Sequence, residues 1–127
     1  MYDIYYAHHQ WKYGTKVEAY EIGVIKRYFP NAKIFNPSTD LILPKSVDEE
    51  SIMKRYLETV RNSDILVFSS MDGVIGTGVY HEIEEAKKNG KIVFYIFQNR
   101  LFLDFFINQF DKVMQQDRLY ATVDIGY

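Results

Sequence analysis

The sequence predicts an α/β fold: a doubly wound, Rossmann-like or flavodoxin-like parallel sheet of about five strands flanked by helices, in one domain over residues 1–127. Three observations carry this. Short β-rich segments alternate with stretches of helical apolar spacing in the order βαβαβαβαβ. Turn-forming Asn, Pro and Gly residues punctuate them. The third and fourth strand segments, Ile65 to Phe68 and Lys91 to Phe97, are almost continuously apolar, as strands covered on both faces are. A chain of 127 residues with 47% hydrophobic and 17% aromatic content can build the core such a fold needs.

Taken in order, Tyr2 to Ala7 is rich in β-forming residues and reads as strand one, followed by a polar turn from His8 to Gly14. Val17, Tyr20, Val24 and Tyr28 recur at helical spacing, and Pro30-Asn31 stops that helix before a short strand, Ala32 to Phe35. Asn36-Pro37 opens a loop reaching Pro44. Ser46 with Glu49 fits a capping box for a helix whose apolar face is Ile52, Met53, Tyr56, Leu57 and Val60. The third strand begins at Asp64, Gly73 to Gly78 forms a turn, and the next helix stops near Asn89-Gly90, a good C-terminal cap. After the fourth strand, Leu101, Phe102, Phe105, Phe106, Phe110, Val113 and Met114 suggest a late helix, with Leu119 to Val123 as a last strand.

Charge and composition exclude several function classes. A net charge of −2 with Lys and Arg scattered along the chain gives no basic stripe, which argues against polymeric nucleic acid and for a small partner. The absence of cysteine removes disulfides, thiolate zinc sites and a cysteine nucleophile. Met1 to Ala7 lacks a signal-peptide pattern, and no apolar run approaches the roughly 20 residues that span a bilayer, so a cytoplasmic, non-membrane protein is expected. His8, His9 and His81 invite a metal reading, but His81-Glu82 lacks the second histidine of HExxH and no acidic cluster completes a site; no metal is expected.

The segment from Ser63 to Ala86 concentrates the chemistry: a buried strand, a glycine-rich turn, and Glu82 one turn into a helix. In a parallel sheet that turn lies at the carboxyl ends of the strands, where open α/β folds bind ligands. Val79, Ile83 and Ala86 define the buried stripe; at about 100° per residue Glu82 lies about 60° from its centre, Glu84 and Glu85 about 120° or more away. Glu82 alone borders the core. Burial would raise its pKa and donors from the turn would stabilise its anion, while the same position also suits a carboxylate answering the helix dipole. Gly73, Gly76 and Gly78 read GxxGxG, neither a dinucleotide fingerprint nor a Walker loop, yet able to free N–H groups for an anion at a helix N-terminus. His8 with Lys12 and Lys16 could meet a 5′-phosphate or simply form a solvated face, and Trp11 could stack on a base or pack.

The segments Ile4-Tyr5-Tyr6-Ala7, Asn62-Ser63-Asp64-Ile65-Leu66-Val67, Gly78-Val79-Tyr80-His81-Glu82-Ile83 and Gly90-Lys91-Ile92-Val93 resemble the nucleoside 2-deoxyribosyltransferase family over roughly residues 1 to 97. The resemblance implies a reaction at an N-glycosidic bond: the glutamate matched by Glu82 attacks the anomeric carbon of a deoxyribonucleoside or its monophosphate, the base leaves, and another base or water takes the sugar from a glycosyl-enzyme ester. Tyr5 matches a first-strand tyrosine that orients the nucleophile, and Asp72 is the nearest match to a loop aspartate that contacts sugar or base and could protonate the leaving base. Ala7, His8, Trp11, Gly76 and Gly78 are then substrate-binding candidates. No cofactor is implied.

In many relatives a neighbouring subunit's C-terminal segment completes the pocket, so a homo-oligomer is implied, with the segment 101 to 114 and the tail Val123 to Tyr127 as interface candidates. This chain departs from the family at His8-His9-Gln10-Trp11, where a small or glycine-proline turn is common, at Val79, and at Glu84, where a glycine often stands. Two alternatives follow: a protein of the same fold that binds, senses or sequesters a small nucleotide, and a TIR-like NAD glycohydrolase, which also uses a helix glutamate near a parallel sheet.

Overall fold

The computed structural model describes residues 1–40, 48–71 and 73–103. Its centre is a five-stranded sheet in the order β2-β1-β3-β4-β5, formed by β1 (Asp3–Ala7), β2 (Lys33–Phe35), β3 (Ile65–Phe68), β4 (Ile92–Phe97) and β5 (Arg100–Leu103). The first four strands are parallel, with Tyr5 opposite both Phe35 and Leu66, and Leu66 opposite Val93. The fold class is the α/β, flavodoxin-like one the sequence predicts, but the sheet is mixed: β5 runs antiparallel to β4.

That antiparallel edge corrects the reading of residues 101 and 102 as the start of a helix. Gln98 and Asn99 take φ of 47° and 69°, and Phe97 pairs with Arg100, so a two-residue turn of the primed kind reverses the chain at once. Leu101 joins the core on one face while Phe102 is 37% exposed, an alternation of period two that the following phenylalanines, spaced for a helix, disguise. The late helix beyond residue 103 and the strand from Leu119 to Val123 lie outside the described residues.

Helices cover both faces. α1 (Lys16–Tyr28) starts where the Thr15 hydroxyl accepts the Glu18 amide and ends before Pro30. A single turn, α2 (Pro37–Asp40), forms inside the expected loop, with Asn36 Oδ1 accepting the Ser38 amide. α3 (Glu49–Arg61) is capped by Asp48, whose Oδ1 accepts the Ser51 amide at 2.7 Å; Ser46, the expected cap, lies outside the described residues. α4 (Thr77–Lys88) begins at Gly76 without any side-chain cap and ends at Asn89-Gly90, Gly90 having φ 68° as a left-handed C-terminal stop requires.

Strand alternation divides the core in two. Tyr5, Ala7, Leu66, Phe68, Val93 and Tyr95 face α3 and α4, meeting Tyr56, Val60, Val79, Ile83 and Ala86. Ile4, Tyr6, Ile65, Val67 and Ile96 face α1, meeting Val24 and Ile25. The expected stripe of α1 needs correction: Val17, Tyr20 and Tyr28 are about half exposed, and the face turned inward is Glu18, Glu21, Val24 and Ile25. No helix of the described residues is long and apolar enough to cross a membrane.

Candidate active site

The order β2-β1-β3 makes the gap beyond β1 and β3 a topological switch point, where adjacent connections leave on opposite faces and a crevice opens at the carboxyl ends of the strands. On the α4 face below that point sits Glu82. Its side chain comes off the second turn of α4 on the same side as Val79, Ile83 and Ala86, and it is 1% exposed, whereas Glu84 is exposed and Glu85 pairs with Arg61 at 2.9 Å. The Tyr5 hydroxyl, reaching from β1, donates a hydrogen bond to Glu82 Oε2. The two residues that the sequence singled out, 77 positions apart in the chain, are therefore in direct contact.

Burial pushes the Glu82 carboxyl up to about 8, against the opposing pull of the Tyr5 hydrogen bond. Two further phenols, Tyr13 and Tyr56, stand close enough to feel the charge of Glu82 and are hydrogen-bonded to each other; burial first, and neighbouring charge second, raises both above the ordinary tyrosine value. Neither stood out in the sequence, because both read as routine aromatics of a turn and of an apolar helix face. A buried carboxyl in contact with one phenol and within electrostatic reach of two more, its pKa raised toward neutrality, is a candidate for proton exchange with a polar ligand.

The other sequence candidates fall into distinct places. Ala7 is buried beside Tyr5 on the same face. Gly76 is the N-cap of α4 and Gly78 lies in its first turn, both buried, so the uncapped N–H groups of a 12-residue helix start here. Trp11 is 64% exposed and stands edge-on to His9. Met71 and Val74 exchange backbone hydrogen bonds of 2.8 and 2.9 Å, closing a tight turn after β3; Asp72, between them, lies outside the described residues.

His8 and Lys12 point the other way, into the α1 face. His8 stacks on Tyr6 with ring centroids 3.8 Å apart, and its Nε2 meets Glu18 Oε2 at 2.7 Å. Burial draws the imidazole below its ordinary pKa, against the pull of Glu18. Burial alone would raise Glu18, but hydrogen bonds from His8 and the Gly14 amide outweigh it and hold the carboxyl low. Lys12, expected on a solvated face, is 7% exposed and donates to Glu21 Oε2 at 3.0 Å, Ser69 Oγ at 3.0 Å and the Ser70 carbonyl at 2.7 Å. Tyr6 and Ser69 donate to the other oxygen of Glu21. A second buried tyrosine–glutamate pair thus mirrors Tyr5–Glu82 across the sheet, and it ties the loop after β1 to the loop after β3. The signal in the sequence was Glu18 and Glu21 standing at positions i and i+3 ahead of Val24 and Ile25, a stripe overlooked because it carries charge.

An open depression of about 530 Å³ lies apart from all of this, lined by Arg27, Tyr28, Gln98, Asn99 and Arg100. Among the described residues no group of three or more His, Asp or Glu is placed to hold a metal ion.

No protein-family model matches the chain, and no curated protein does. Among solved structures, it is similar to a conserved protein from Enterococcus faecalis V583, with 27% identity and a TM-score of 0.63 over 75% of this chain. The chain spans 62% of the length of that protein's chain. The likeness bears on the α/β fold.

Proposed function

We propose that this protein cleaves or transfers at the N-glycosidic bond of a nucleoside or nucleotide, with Glu82 as nucleophile. The observation that carries the reading is the buried hydrogen bond from Tyr5 to Glu82 beside the switch point of the sheet. In the proposed reaction a Glu82 carboxylate oxygen forms a bond to the anomeric carbon, the carbon–nitrogen bond breaks, and the base departs with a proton that Asp72 supplies. Water or a second base then displaces the carboxylate from the glycosyl ester and regenerates Glu82. Tyr5 fixes the carboxyl rotamer and shares the negative charge when the ester forms and breaks. For a sugar to reach Glu82, the cover that leaves it 1% exposed must open. A neighbouring copy supplying its own C-terminal segment, as in relatives of the resembled family, would complete such a pocket.

The raised pKa favours a second reading in the same site. A carboxyl near 8 is about nine-tenths protonated at pH 7, and a neutral acid donates a hydrogen bond well but attacks carbon poorly. The protein would then bind or sense a small nucleotide without turning it over. Incubation with deoxynucleosides, their 5′-monophosphates, ribonucleotides and NAD, followed by chromatography for free base, separates the readings. Base release that Glu82→Gln abolishes supports the enzyme; saturable binding without release supports the binding protein; release of nicotinamide from NAD alone points to the TIR-like alternative.

A further inference from the structure

His9 carries a buried donor that the described fold leaves without a purpose. β1 ends at Ala7 with Ile4 and Tyr6 facing α1 and Tyr5 and Ala7 facing α4; His9, whose backbone beyond the strand is still extended at φ −67° and ψ 143°, would continue the second series. His8 confirms the parity, since it stacks on Tyr6 and pairs with Glu18 of α1. His9 shares in neither contact and stands instead against the Trp11 ring.

The tautomer of His9 follows from its bonds. Nδ1 accepts the Trp11 backbone N–H at 3.0 Å, so in the neutral ring the proton sits on Nε2. Burial first, and then Lys12 and His8, hold the imidazole pKa below the ordinary histidine value, which favours the neutral ring. The residue is 5% exposed, and Nε2 has no hydrogen-bond partner among the described residues. A buried N–H without an acceptor is rare in a folded protein, and a bound ligand is one of the few things that explains it.

We infer that His9 is a specificity-determining ligand contact: its Nε2–H donates to an acceptor oxygen or nitrogen of the small molecule whose sugar lies at Tyr5 and Glu82. At strand rise the α-carbons of Tyr5 and His9 are up to roughly 13 Å apart, with Ala7 the intervening residue of that series. The long axis of a nucleoside or its 5′-monophosphate fits that span, so that one end of the ligand meets Glu82 and a polar atom at the other meets His9. This inference rests on the N-glycosidic reading of the site, and it turns the bulky His8-His9 departure from the resembled family into a selective feature of this chain.

The test is a titration of the intact, ¹⁵N-histidine-labelled protein with thymidine, 2′-deoxyadenosine, 2′-deoxycytidine and their 5′-monophosphates, following the imidazole nitrogens by NMR and affinity by calorimetry. The expected result is a probe that moves the His9 Nε2 resonance, binds at least tenfold more weakly to His9→Phe, and recovers most of that affinity in His9→Gln, whose amide N–H₂ takes the place of Nε2–H. The wild-type resonance decides the matter even if His9→Phe does not fold. A probe that binds or loses its base while the Nε2 resonance stays put, or with His9→Phe unaffected, overturns the role of His9 and leaves the glycosidic reading standing. Failure of every probe to bind or react overturns both.

Discussion

Glu82 is a carboxyl group that folding holds in its neutral form, and that has a measurable consequence. Its folded pKa of about 8 stands above the ordinary 4.5, so the unfolded chain gives up this proton first as pH rises. The stabilising contribution is therefore whole below about pH 4.5 and is lost progressively up to about 8. Glu82→Gln keeps an acceptor for Tyr5 and cannot ionise. It is expected to be more stable than the wild type at pH 7 by up to about 3 kcal/mol, with little difference at pH 4.5, as urea denaturation at the two pH values would record. On the proposed glycosidic reading that gain would be the stability–function compromise of an active site. Tyr5→Phe removes the bond that lowers the Glu82 pKa. The pH–rate profile of base release should rise through about 8 in the wild type and at higher pH in Tyr5→Phe, with a loss on the order of tenfold to a hundredfold at pH 7. A profile that falls over the same range would contradict the assignment of Glu82 as the attacking anion.

Among the elements, α1 carries the most informative departure from the expected pattern. Its stripe of Val17, Tyr20, Val24 and Tyr28 satisfies helical spacing, yet three of the four are about half exposed. The face that wins contains Glu18 and Glu21, because His8, Lys12, Tyr6 and Ser69 offer them partners that periodicity cannot reveal. Lys12→Met strips Glu21 of its buried cation while leaving a stem of similar length. The expected cost is about 3 to 5 kcal/mol in denaturant unfolding, with part recovered in the double variant Lys12→Met/Glu21→Gln, which buries no lone charge. The β4–β5 turn was hidden for a different reason: Gln98 and Asn99 are not the Asn-Gly pair such turns favour, and the aromatic run beyond them has helical spacing. Replacing Gln98-Asn99 by Asn-Gly should relieve the strain of two positive φ values and raise stability by about 1 kcal/mol, measured as a shift of the urea midpoint. By contrast α4 was fully legible, since Val79, Ile83 and Ala86 define one buried stripe and Glu82 was the sole carboxylate placed beside it. Only the degree of its burial was underestimated, because Tyr13 and Tyr56 arrive from elements that no local pattern connects to it.

Over the whole molecule, the alternation of short apolar strands and helices predicts the α/β sheet of about five strands but not its antiparallel edge, β5. The interior strand β1 then sets a Tyr–Glu pair on each side of the sheet, one facing α4 and one facing α1. The buried ionisable groups give the protein a stability profile of definite shape. His8 and Glu18 both have lowered pKa values, so their contributions are lost as the medium becomes acidic; that of Glu82 is lost as it becomes alkaline. Below about pH 6.5 the proton uptake of the unfolded histidines opposes the proton release of unfolded Glu82, and above it the fall belongs chiefly to Glu82. Urea unfolding across pH should show a fall of about 2 kcal/mol between about pH 6.5 and 8 that vanishes in Glu82→Gln.

The most direct measurement on the central claim is mass spectrometry of the protein acid-quenched during incubation with a deoxynucleoside or its 5′-monophosphate. A sugar adduct is expected on the peptide containing Glu82, formed as free base appears and absent from Glu82→Gln. Base release at an undiminished rate from Glu82→Gln, with no adduct on that peptide in either protein, would contradict it.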